Sequence, residues 1–471
     1  MKNKIFLTLL LLSLISLHSF GQITYEYPEN KGFALGAYGR VGIDRSFENS
    51  GAIGRRLNLN NMGSIGGRLE EQDYMELALG TKFGTEKNDD KSIVYFQTRV
   101  ALYSTSLSLF GNTSSSSPGG LTFALPELFV EAKNIGGSGV NVWAGARLYR
   151  GPDVHIADYR YFNDHSGQGF GVEYKKSRFL TLFISSTDTS STLPPYFYLN
   201  IATGTPSAAL RHRILWAFEH DFNLGKNNLL TLLGEFQRLG DAQSGQDTAS
   251  IYNYPTDLGF VLGARFESRF GRNNKSYNRT ALRYGTGIAN GGDGGNSKTW
   301  YTFGAPNMDK LNYRGAYSLS FVNNLFQEIN QRNWVEAYLI GIVSKGGAKG
   351  NGMSPTYWEK EVYNRKRELA LGFREAYQVK DFLRLLFEMN YAQRQDGDND
   401  WASMTKLSFA PTIVPTGVHD FWARPEIRFV SSVAFYNKFA QENLYSPYLE
   451  FAGSQKVGYY LGIKAEFWIW K

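Results

Sequence analysis

No cysteine occurs in the 471 residues, which excludes a disulfide framework and a thiolate metal site. Beyond residue 17 no apolar run is long enough to cross a bilayer as a helix, so a helical membrane protein is excluded. Charge of one sign is also scarce. The formal net charge is +7, or +5 once Lys2 and Lys4 leave, and it is dispersed, too mild to argue for nucleic acid. No nucleophile elbow appears. The glycine-rich run from Gly285 to Gly295 lacks the strand-to-helix context and the Lys-Ser/Thr ending of a phosphate-binding loop, and it reads as an external loop.

Lys2 and Lys4, an apolar run from Ile5 to Leu17, and Ser19-Phe20-Gly21 before Gln22 read as a secretory signal peptide over residues 1–21. No linker or composition shift interrupts residues 22–471, which read as one domain. The chain is polar on average yet rich in glycine and aromatics: 50 Gly, 29 Tyr and 33 Phe, with a mean hydropathy of -0.34. A chain of that kind with no spanning helix fits an outer-membrane β-barrel, whose lumen and loops are wet while one face meets lipid.

Alternation runs from end to end. The terminal segment sorts Leu461, Ile463, Ala465, Phe467 and Ile469 onto one face, and Tyr460, Gly462, Lys464, Glu466, Trp468 and Trp470 onto the other. Similar segments run from Phe33 to Ile43, Met75 to Leu79, Val94 to Leu102, Val140 to Leu148 and Phe421 to Phe429. The connections come in two sizes. Gln378-Val379-Lys380-Asp381 is tight, whereas Gly111–Gly120, Gly285–Lys298, Lys345–Ser354 and Gln393–Asp400 read as long polar loops. Short periplasmic turns and long extracellular loops belong to transmembrane barrels. The charge run from Glu361 to Glu368 reads as a solvated loop and strand base.

Four aromatic residues fall on the polar side of their segments: Tyr38, Tyr74, Trp422 and Trp468. Each has a charged residue two positions away on the same face: Arg40, Glu76, Arg424 and Glu466 respectively. Girdle aromatics of a barrel point outward with the apolar set, so these four point inward. Rings can stack on the C–H faces of a sugar while ionised side chains bond its hydroxyls.

These segments resemble the maltoporin family of outer-membrane sugar porins. The resemblance rests on Gly36-Ala37-Tyr38-Gly39-Arg40, Arg68-Leu69 with Tyr74-Met75-Glu76-Leu77, and Trp143-Ala144-Gly145-Ala146-Arg147-Leu148-Tyr149. It continues through Asp153-Val154-His155-Ile156-Ala157-Asp158-Tyr159, Trp422-Ala423-Arg424-Pro425-Glu426-Ile427-Arg428 and Glu466-Phe467-Trp468. It implies an all-β fold: a transmembrane antiparallel barrel of about 18 strands, with long extracellular loops and one loop folded into the pore. It further implies a homotrimer in outer-membrane lipid, with oligosaccharides as substrate and neither cofactor nor catalysis. Tyr38, Tyr74, Trp422 and Trp468 match an aromatic slide for maltodextrins. Arg40, Arg68, Glu76 and Asp158 match a polar track, and Asp153 and His155 match the inward loop.

The departures lie near the constriction. Gly151 stands where the family has arginine, with Arg150 one place earlier. Pro126 replaces a track arginine, Arg160 replaces a tyrosine, and Leu229 stands near a slide phenylalanine. The aromatic that a neighbouring subunit lends to the pore has no clear counterpart in the loop after Tyr103. These changes motivate an alternative, a general diffusion porin with little sugar selectivity. His155 with Asp153 and Asp158 reads as a hydrogen-bonded constriction rather than a metal site. Asp164-His165-Ser166 carries no catalysis, because neighbours along a strand point apart.

Overall fold

The computed structural model describes residues 32–45, 54–83, 92–104, 121–185, 196–200, 205–209, 212–241, 255–292, 301–357 and 360–470. The expected signal peptide, the whole Gly111–Gly120 loop and the end of the Gly285–Lys298 loop from residue 293 lie outside them. Eighteen strands form one sheet. The first six are β1 Phe33–Arg45, β2 Tyr74–Phe83, β3 Ile93–Ser104, β4 Leu121–Lys133, β5 Val140–Arg147 and β6 Gly167–Tyr174. Next come β7 Ser177–Ser185, β8 His212–Asn223, β9 Asn228–Leu239, β10 Asp257–Phe270, β11 Ser276–Gly287 and β12 Tyr317–Asn330. The last six are β13 Asn333–Lys345, β14 Arg365–Lys380, β15 Leu383–Asp396, β16 Ala402–Ile413, β17 Glu426–Tyr436 and β18 Val457–Trp470.

Each strand pairs antiparallel with its chain neighbours, and β18 returns to pair with β1, from Gly36↔Trp470 to Arg45↔Leu461. The sheet therefore closes without an edge, as a wall in hydrocarbon must, because an unpaired backbone donor there costs several kcal/mol. The two-residue period decides which side meets lipid. Along β10, Leu258, Phe260, Leu262 and Phe266 are exposed outside, while Asp257, Val261, Arg265 and Glu267 are buried inside. On β18 the apolar face is outward, with Leu461, Ile463 and Ile469 exposed and Lys464 and Glu466 buried.

At one end, connections shrink to two residues: 175–176, 331–332 and 381–382. At the other they lengthen to 148–166, 288–316 and 437–456. Three local expectations are corrected. β15 continues to Asp396, so Gln393–Asp400 is a strand end and a short turn. β17 begins only at Glu426, leaving Phe421, Trp422 and Arg424 in the 414–425 connection. There Arg384 donates to the carbonyl of Asp420 (2.5 Å) and holds the turn inside the barrel mouth. Phe421, expected on the lipid side, is consequently buried against Phe326 (5.2 Å between ring centres). Finally, Lys366 and Glu368 are inward residues of β14 rather than solvated ones. Glu368 is paired to Arg394, and Lys366 donates to the carbonyl of Gly292 (2.5 Å).

The loop 148–166 folds inward. Its base is zipped by Gly151 N donating to Asn163 O (3.1 Å) and His165 N donating to Tyr149 O (2.8 Å). Its tip is a two-pair hairpin, Asp153↔Arg160 and Val154↔Tyr159, around a single helical turn, His155–Ala157. Val154, Ile156, Ala157, Tyr159, Tyr161 and Phe162 are all buried; each large apolar side chain so covered contributes about 1.5–3 kcal/mol. A second inward segment, 54–73, was not legible from the sequence. Leu57, Leu59, Met62, Ile65 and Leu69 are buried, Lys406 pairs with Glu70 (3.0 Å), and Tyr436 Oη donates to Leu57 O (2.6 Å). Gly67 has a positive φ, and a β-carbon there would collide with Glu388 Oε1.

Candidate functional site

Three rings make a file on neighbouring inward positions. Tyr38 of β1 and Tyr74 of β2 are 5.7 Å apart between centres, and Tyr74 stacks at 6.5 Å and 25° on Tyr103 of β3. Trp468 is the register partner of Tyr38 and lies under the Arg424 guanidinium, 4.4 Å from its ring centre. Trp422 arrives from the opposite end. It packs on His155 (4.8 Å), Phe421 (4.8 Å) and Phe326 (5.9 Å). The structure thus brings Tyr38 and Tyr74 into contact, sets Trp468 beside Tyr38 in the wall, and keeps Trp422 separate, against the inward loop.

The hydroxyls of the inner two rings are tied down. Tyr38 donates to Glu466 Oε1 (2.8 Å) and Tyr74 to Glu76 Oε2 (2.7 Å). Glu76 in turn receives Arg99 (2.5 Å), which also reaches Glu127 (2.7 Å). Glu466 is a hub: Arg424 meets it at 2.9 Å, Arg68 at 3.6 Å, and Arg428 pairs with it as well. Arg68 also donates to the Tyr38 hydroxyl (3.1 Å) and pairs with Glu71 (3.1 Å), which Arg40 meets at 2.7 Å. Arg40 additionally lies 5.2 Å from the Tyr74 ring centre. Rings and charges are therefore bonded to one another, and neither row moves alone.

The inward-loop residues divide. His155 N donates to Glu336 Oε1 across the lumen (3.1 Å), and its ring sits between Trp422 and Arg68. Burial, then the Arg68 charge, hold its imidazole well below its ordinary value, so it is neutral at pH 7. Asp153 pairs with Arg160, at 3.9 Å. Asp158, at a positive φ of 43°, is exposed to the lumen. The surrounding protein desolvates it, which raises its pKa, but Arg68, Arg160, Arg40 and Arg150 outweigh that and hold its carboxyl below the usual range. It therefore presents a fixed negative charge in a ring of guanidiniums. Asp158→Asn is expected to move the channel toward anions, read as a reversal potential displaced toward the chloride potential in a KCl gradient.

Two of the departures have local accounts. A β-carbon on Gly151 would collide with Asn163 Oδ1, so a larger residue there would have to displace Asn163, and Arg150 instead reaches Asp164 (3.7 Å) and Ser166 (3.2 Å). Pro126 coincides with the register break between Arg99 and Ala101, where a missing N–H is tolerated. Asp164 accepts from Ser166 Oγ (2.5 Å), while His165 turns to Glu235 (2.8 Å). The histidine and the serine face different partners, as expected. Glu71 and Glu466, which join the candidate rings and charges, were not among the expected site residues. Glu71 sits in a loop with no periodicity to mark it, and Glu466 carried only a phase signal.

The sequence family described as LamB porin matches residues 33–470. A maltoporin of Photobacterium profundum is 33% identical over 153 residues, 29% of this chain and 35% of that protein, so the chain spans about a third of the curated relative. Among solved structures, Salmonella typhi OmpF in complex with daunomycin is similar with a TM-score of 0.42 and 11% identity, covering 93% of this chain and 97% of that one. The DcaP channel of Acinetobacter baumannii is similar at 0.41 and 10%, covering 94% and 99%.

Proposed function

Because the chain belongs to the LamB porin family, an outer-membrane channel family and not an enzyme family, we propose that it passes maltose, maltodextrins or similar oligosaccharides by facilitated diffusion. A leader over residues 1–21 and assembly as a homotrimer in outer-membrane lipid are part of this reading. The observation that carries it is the bonded arrangement of rings and charges. Tyr38, Tyr74 and Trp468 offer faces for stacking, and Arg40, Arg68, Glu76 and Asp158 offer charge-assisted partners for hydroxyls. A sugar chain can exchange one ring and one charge for the next without desolvating either row anew. Asp153 and His155 narrow the path from the loop side.

Single-channel conductance titrated with maltose through maltoheptaose and with sucrose tests this. Saturable block, tighter for longer maltodextrins, is the expected result. The second reading, a general diffusion porin, is favoured by Gly151, Pro126 and Leu229. Equal permeation of sugars and unrelated solutes of the same size would establish it in place of the first.

A further inference from the structure

The ring file does not stop at Tyr74. Tyr103 lies one residue from the loop end of β3, directly opposite Tyr74 in the register, with its ring stacked on Tyr74 and its side chain only partly covered. Its spacing of 6.5 Å and tilt of 25° continue the Tyr38–Tyr74 contact toward the long-loop end of the barrel, within the range at which aromatic pairs attract. Its hydroxyl differs from those of the inner rings. Tyr38 and Tyr74 commit theirs to Glu466 and Glu76, whereas the Tyr103 hydroxyl meets no hydrogen-bond partner among the described residues. A ring with a fixed face, and a hydroxyl uncommitted among the described residues, can stack on a pyranose and bond one of its hydroxyls at once.

We propose that Tyr103 is the entry ring of the sugar path, supplied by the same chain that supplies Tyr74 and Tyr38, so that the upper slide is complete within one protomer. This rests on the sugar-channel reading above. The substrate class is the same, an oligosaccharide long enough to cover more than one ring. Maltose can engage the inner rings without it, while a longer chain threading from outside meets Tyr103 first.

The test is current block in planar bilayers with maltose and maltohexaose added from the long-loop side, for the parent, Tyr103→Ala, Tyr103→Trp and Tyr74→Ala. The expected result is that Tyr103→Ala slows maltohexaose entry and weakens its block about five-fold or more. Maltose block should change less, and Tyr103→Trp should restore the block. Heat-modified gel mobility identifies which variants are folded, and Tyr103→Leu, which keeps bulk but no aromatic face, supplies the reading if the alanine variant is not: weakened maltohexaose block supports the proposal, unaltered block overturns it. If Tyr74→Ala weakens block and Tyr103→Ala does not, the entry-ring proposal falls while the sugar path stands. If neither substitution alters block, the sugar path itself fails, and the proposal with it.

Discussion

Glu466→Gln weakens sugar block and the barrel's resistance to unfolding together. The carboxylate is almost wholly covered and pairs with three guanidiniums, those of Arg68, Arg424 and Arg428, while accepting from Tyr38. An amide keeps the shape and one acceptor but removes the charge, leaving Arg424 and Arg428 to share Glu426 and Arg68 to rely on Glu71 in a space closed to bulk water. Removing one partner of a buried pair costs about 3–5 kcal/mol. The geometry fails with it, because Arg424 covers Trp468 and Arg68 holds Tyr38 and touches His155. Urea titration followed by gel mobility reads the stability, and maltohexaose block reads the site. A variant as stable as the parent with unaltered block would show that Glu466 does not organise the rings and charges around it.

Trp422→Ala weakens sugar block by about 0.5–1.5 kcal/mol, roughly 2- to 12-fold, while the channel still conducts ions. The ring is partly exposed and packs on His155 at the tip of the inward loop. Its loss removes a stacking face and releases His155 from one side, so the loop tip loses its seat as well. Tyr74→Ala is expected to act in the same direction. It is the smaller effect on the loop, since Tyr74 touches Tyr38, Tyr103 and Arg40 but not His155. Unchanged affinity in both variants overturns the sugar path.

Phase carried the sequence reading where a strand crosses hydrocarbon and failed where it does not. β1 and β18 were legible because one face must be apolar and the other need not be. β15 was misjudged at Gln393 and Gln395, which point outward near the long-loop end, beyond the apolar belt. There the outer face turns polar and the alternation disappears, although pairing continues through Arg394↔Ala402. Trp422 and Arg424 were assigned to the lumen by an alternation that belongs to no strand. They do lie inside the barrel, because Arg384 draws their turn inward. The 54–73 segment left no periodic trace, since its apolar residues answer to a curved wall of several strands rather than to one face.

That segment also orders events in time. It lies between the first two strands, yet its seats are Tyr338 on β13, Glu388 and Asn390 on β15, Lys406 on β16 and Tyr436 on β17. Such distant partners are the slow ones to meet. The first loop to be synthesised therefore has no place to rest until the last third of the chain has arrived. A chain halted before β15 would hold fourteen of the eighteen strands, an open wall with the apolar residues of this loop still bare.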